Sequence, residues 1–138
     1  MTSIADLGSE PKATEAWVDD LMRLLGWHDR QRASLALIAT LHALRDCLGR
    51  DEAVYVGAQL PTVLRGLYYE GWHPRARPVT GRSAFLERIL DGVHRDVAVD
   101  AGQVAHAILA LLATHMPAGE LETAKAATPP ALHNLWPS

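Results

Sequence analysis

Shifted by 68 positions (129 − 61), the chain lies on itself without a gap, and this duplication is the strongest constraint on its fold. Trp17, Val18, Leu21, Met22 and Leu25 fall on Phe85, Leu86, Ile89, Leu90 and Val93. Ala33, Ala39, Leu41 and Leu44 fall on identical residues, Ala101, Ala107, Leu109 and Leu112. Pro61, Leu64 and Leu67 meet Pro129, Leu132 and Leu135, and Tyr68 meets Trp136. The matched positions are apolar stripes and helix-opening prolines, whereas surface positions differ. The shared quantity is therefore packing geometry.

The spacing within each copy is helical. Trp17 to Leu25 recur at steps of three and four, with Asp19, Asp20 and Arg23 on the opposite face. Gly26 stops that helix, Asp29 caps the next, and the stripe Leu37, Leu41, Leu44 and Leu48 runs along it with small alanines around. A third helix is expected near Asp51 to Gln59, and Pro61 opens a fourth ending at Gly71. Gly71 to Gly81, with Pro74 and Pro78, reads as a connector. Ser83 is expected to cap the fifth helix, Asp100 with Gln103 the sixth, while Pro117 and Pro129-Pro130 open the seventh and eighth.

The predicted fold is all-α: about eight helices in two tandem four-helix halves related by a pseudo-twofold axis. Residues 1–13 read as a flexible arm and 14–138 as one domain, with repeat one at 14–72, a linker at 73–81 and repeat two at 82–138. The second and sixth helices, apolar nearly all round, are expected to meet near the axis, with Ala36, Ala39, Ala105 and Ala107 permitting close approach.

A chain of 138 residues supports one good core, and a composition 49% hydrophobic and 21% charged is that of a globular protein. A single cysteine, Cys47, rules out an internal disulfide and favours a reducing compartment. No basic start followed by an apolar run opens the chain, and the longest apolar stretch is far short of the ~20 residues of a membrane span. The expectation is a soluble cytoplasmic protein. The formal charge of −3 disfavours nucleic acid as a partner, although arginines 65, 75, 77, 82, 88 and 95 crowd the middle of the chain.

Seven histidines raise the question of metal, but no HExxH, CxxC or i,i+4 pair is present, so neither a metal site nor any other cofactor is expected. Ser34 and Ser83 lack a nucleophile elbow, and no phosphate-cradling glycine loop occurs, which leaves catalysis little to stand on. The best recognition surface is the aromatic knob of Leu60 to Pro74. Arg65 and Tyr69 are four apart and Tyr69 and Trp72 three apart, so guanidinium and rings can share a face beside His73. Tyr68 and Trp72 can equally plug the seam between halves. The alternative is a pocket at that seam bordered by His42, Cys47 and His106, holding a small molecule or metal.

Leu44-Arg45-Asp46-Cys47-Leu48, Ala58-Gln59-Leu60-Pro61 and Leu64 to Trp72 (LRGLYYEGW) together resemble the signature of the bacterial domain of unknown function 2267 family. The likeness spans about Trp17 to Trp136, more loosely in the second half, where Leu132-His133-Asn134-Leu135-Trp136 lacks the glycine and the tyrosine pair. The resemblance implies a small all-helical protein, commonly doubled, without assigned activity or catalytic residues. The function expected is a non-enzymatic module that binds a protein partner or a second copy of itself.

Overall fold

The computed structural model describes residues 10–74 and 79–137. Among them lie seven α-helices, a closing 3-10 helix and no strand: α1 Glu10–Leu25, α2 Arg30–Asp46, α3 Arg50–Ala58, α4 Thr62–Tyr69, α5 Arg82–Gly92, α6 Ala101–Thr114, α7 Ala118–Ala127 and the 3-10 helix Pro130–Leu135. The protein is all-α.

Local chemistry sets most boundaries. The Asp29 carboxylate accepts the Arg32 N–H at 3.0 Å and the Asp100 carboxylate the Gln103 N–H at 3.1 Å, so both long central helices start on a side-chain cap. Pro61 and Pro117 occupy the N-cap positions of α4 and α7. Three boundaries differ from expectation. α1 already begins at Glu10, inside the expected arm, since Pro11 in a first turn loses no intrahelical bond. α5 is capped by Gly81, which places Ser83 inside its first turn. The last element is a six-residue 3-10 helix, a tight form suited to a short segment opened by two prolines.

Three backbone details match at the 68-residue offset. Cys47 ends α2 at φ −103°, ψ 0°, and His115 ends α6 at φ −102°, ψ 5°. Gly26 leaves α1 in the left-handed region (φ 68°), and His94 leaves α5 in the same region (φ 57°). The bond Trp27 N–H to Met22 C=O (2.9 Å) has its counterpart in Arg95 N–H to Leu90 C=O (2.8 Å), a helix termination that closes over a left-handed residue.

α2 is the hub, packing on α1 and α4 and most extensively on α5; α6 in turn packs on α1 and α5. The second and sixth helices do touch, but the larger contact of each is with the first helix of the other half. The reason is visible at Gly92. A Cβ there would press on the Ala39 side chain and stand 3.3 Å from its Cα, so the glycine and alanine let α5 and α2 come nearly backbone to backbone. Leu21, Leu37, Leu41, Leu44, Ile89, Ile108, Leu109 and Leu112 fill the interior, each worth about 1.5–3 kcal/mol relative to exposure.

Two histidines latch the ends of the halves. His42 on α2 donates from Nε2 to the Leu67 carbonyl at 2.7 Å, and His106 on α6 donates from Nδ1 to the Leu135 carbonyl at 2.8 Å. Leu67 and Leu135 are 68 apart, yet the histidines reach them from positions one helical turn out of register (42 + 68 = 110, not 106). The Leu67 carbonyl, at the end of α4, accepts the Glu70 N–H (3.2 Å) as well as the His42 ring.

Candidate functional site

α2 ends in Arg45-Asp46-Cys47. Arg45 follows Leu41 by one turn, which carries its charged side chain onto the apolar stripe, where only 6% of it stays exposed. A guanidinium so buried needs partners, and it finds them at the end of α4: Nη1 donates to the carbonyls of Tyr68 and Glu70, both at 2.5 Å. Those are C-terminal carbonyls, the negative pole of the helix, so the cation fits by charge as well as by hydrogen bonding. Arg45 Nε donates to Asp46 Oδ1 at 3.1 Å, and the other oxygen of that carboxylate accepts from Arg88 Nη1 on α5 at 2.6 Å. The Asp46 carbonyl takes the Val79 N–H at 2.9 Å, tying down the last part of the connector.

Gly71 then turns the chain out of α4 through a left-handed conformation (φ 71°) and carries Trp72, His73 and Pro74 over the Arg45 corner. Between this loop, the α2–α3 junction and α5 lies a recess of about 320 Å³. Arg45, Asp46, Arg50, Arg88, Trp72 and His73 give it its chemistry. Trp72 is half-buried and His73 exposed, and the Trp72 ring leans on Tyr69 with centroids 5.5 Å apart. Tyr69 in turn meets Tyr68 edge to face at 4.9 Å. Gly57 makes room for this stack, because a Cβ there would fall 2.5 Å from the Tyr69 hydroxyl oxygen.

The residues singled out from sequence thus take different places. Trp72 and His73 line the recess, while Tyr69 leans on the Trp72 ring with its hydroxyl turned toward Val54 on α3. Arg65 is engaged at the end of α3, where Nε donates to the Gly57 carbonyl at 3.0 Å and Nη2 to the Leu60 carbonyl at 2.9 Å. His42 and His106 are spent on their separate latches, on different helices, and Cys47 donates its thiol to the Leu44 carbonyl at 3.1 Å. Burial pushes the Cys47 thiol up to about 12, which keeps it protonated and unreactive. These three residues do not converge on a pocket. Among the described residues no group of three or more His, Cys, Asp or Glu is placed to hold a metal ion. No helix there is long and apolar enough to cross a membrane.

Sequence reasoning gave no site role to Arg45, Arg50 or Arg88, counting Arg88 only among the central arginines. The available signal was an arginine in the middle of an otherwise apolar stripe, since a charge at such a position must be paired. Of the central arginines, Arg82 donates to the Asn134 side chain at 2.7 Å and Arg95 pairs with Glu87 and Asp91. Arg75 and Arg77 lie outside the described residues.

The model of the family described as "Uncharacterized conserved protein (DUF2267)" matches residues 14–135 of this chain. No curated protein matches the chain.

Proposed function

This chain belongs to the DUF2267 family of uncharacterized conserved proteins, and from that premise we propose that it is a non-enzymatic binding module whose working face is the corner around Trp72 and His73. One observation carries this reading: two segments of the family-like signature, 44–48 and 64–72, far apart in sequence, meet around a single recess and leave an aromatic and an imidazole at its rim. The other reactive groups, His42, Cys47 and His106, are engaged internally. Amphipathic rings beside arginine are the composition of interaction hot spots. The occupant is another protein chain or a second copy of this one, in the cytoplasm.

A photo-crosslinking residue at His73 tests this in the native host. A discrete adduct, absent when the same residue is placed at exposed Glu122 on α7 and lost on Trp72→Ala, is the expected result. Identical adducts at both positions, or none at His73, would remove the reading. Mass spectrometry of the adduct separates a foreign partner from self-association.

A second reading, a small-molecule protein with a pocket between the halves, draws support from Arg88. It belongs to the second half, yet it faces the same recess as Arg45 and Trp72 of the first. The same proposal extends to architecture: 14–138 is one domain in which 14–72 and 82–138 are copies about a pseudo-twofold axis. The matching helix terminations at Cys47 and His115 and at Gly26 and His94 support it, and an experimental structure whose halves fail to superpose would refute it.

A further inference from the structure

We infer that the recess beside Trp72 is an oxyanion site, built to take a carboxylate or phosphate group. The inference rests on the reading of this corner as the binding face and adds the chemistry of what it holds. Three arginines, Arg45, Arg50 and Arg88, line the recess, with Asp46 as the only carboxylate in its wall among the described residues. Asp46 is shared, one oxygen to Arg45 Nε and the other to Arg88 Nη1, so a single negative charge answers two cations while Arg50 adds a third. Glu52 turns back toward Gly49 at the edge, its Oε2 2.7 Å from where a Gly49 Cβ would stand, and even counting it the walls carry more positive than negative charge. The His73 imidazole also borders the cavity.

The imbalance lies at the accessible side of the recess: Arg50 and Arg88 are exposed, and Arg88 shares its one carboxylate with Arg45, so a bound anion would answer positive charge that Asp46 alone does not. Arg45 itself is buried and answered by Asp46 and two carbonyls. Its orientation is already fixed by the Tyr68 and Glu70 carbonyls, so little ordering is left to be done on binding. Its Nη2 lies 3.9 Å from the position a Gly71 Cβ would take, ordinary contact distance, which sets this nitrogen beside the loop that borders the recess. Guanidinium groups recognise carboxylates and phosphates through paired donors, and a volume of about 320 Å³ suits a small anion or an acidic side chain with its neighbours. The Trp72 ring supplies an apolar wall for whatever carries the charge.

Titration of the full chain with sodium phosphate and with succinate, at constant ionic strength made up with chloride, tests the site by NMR. Saturable shifts are expected at the Gly49, Arg50, Gly71 and Trp72 amides and the Trp72 indole N–H, with a Kd of about 1 mM or tighter. Arg88→Ala and Arg50→Ala, both at surface-accessible arginines, should each weaken binding roughly tenfold while leaving the thermal melt in place, and Arg23→Ala on α1 should change nothing. No saturable shift with either anion, or equal shifts in wild type and Arg88→Ala, overturns the inference. If the His73 adduct nevertheless forms, the binding face stands and only its charge preference is wrong. Suppression of the adduct by phosphate assigns the oxyanion to a partner chain. Anion binding that leaves the adduct untouched assigns it to a free small anion.

Discussion

His94 is the residue where the second half departs most plainly from easy backbone chemistry. It holds φ 57° at the position where the first half uses Gly26, and a side chain in the left-handed region costs about 1–2 kcal/mol. Part of that is returned because glycine has more freedom to lose on folding, about 0.5–1 kcal/mol. His94→Gly should therefore stabilise the protein by roughly 0.5–1 kcal/mol, read as a higher urea midpoint at unchanged slope. His115 offers a pH test. One face of its ring stacks on Trp17, centroids 4.3 Å apart and planes at 18°, and the resulting desolvation lowers its pKa from the ordinary 6.5. The unfolded chain then binds the proton first as pH falls, so stability should decline as pH drops below about 6.5 and recover above it. An NMR titration placing the His115 pKa at or above that of an unperturbed imidazole would contradict this. His115→Phe, which keeps the stack without the proton, should flatten that part of the pH–melting curve.

Helix pairs show why the two halves are not interchangeable. The α2–α5 crossing closes over Gly92 and Ala39, whereas the first half has Leu24 at the place of Gly92, a residue 57% exposed on α1. One crossing is thus shut by two small residues, and the other carries a leucine at its edge. Gly92→Ala improves helix propensity by about 1 kcal/mol but forces the Ala39 backbone away, an overpacking that costs about 1–3 kcal/mol. A net loss of roughly 1 kcal/mol is expected by chemical denaturation, and a stabilised variant would mean that the helices are less tightly set than Gly92 implies. The aromatic stack of α4 depends in the same way on Gly57, whose missing side chain is occupied by the Tyr69 ring.

At the scale of the molecule, α2 finds its largest contact in α5 and α6 finds its largest in α1, so the halves interlock through their central helices. A fragment of residues 10–74 would expose Leu37, Leu41 and Leu44 and lose Phe85 and Ile89 as packing partners, each worth about 1.5–3 kcal/mol. Such a fragment should show weak helical signal and no cooperative melt alone, and regain both on mixing with residues 79–138. A cooperative transition from the isolated fragment would show that the halves are separate units. Helices, caps and terminations were legible in the sequence because their causes lie within a few residues: Asp29 to Arg32, Asp100 to Gln103, Gly26 between Met22 and Trp27. Which face of each helix meets which neighbour was not, and neither was the recess. Arg45 reaches the carbonyls of Tyr68 and Glu70, and Asp46 reaches Arg88, contacts spanning 23 to 42 positions that no local pattern encodes. A buried charge announces that it needs partners, but only the folded chain decides which carbonyls and carboxylates come within reach.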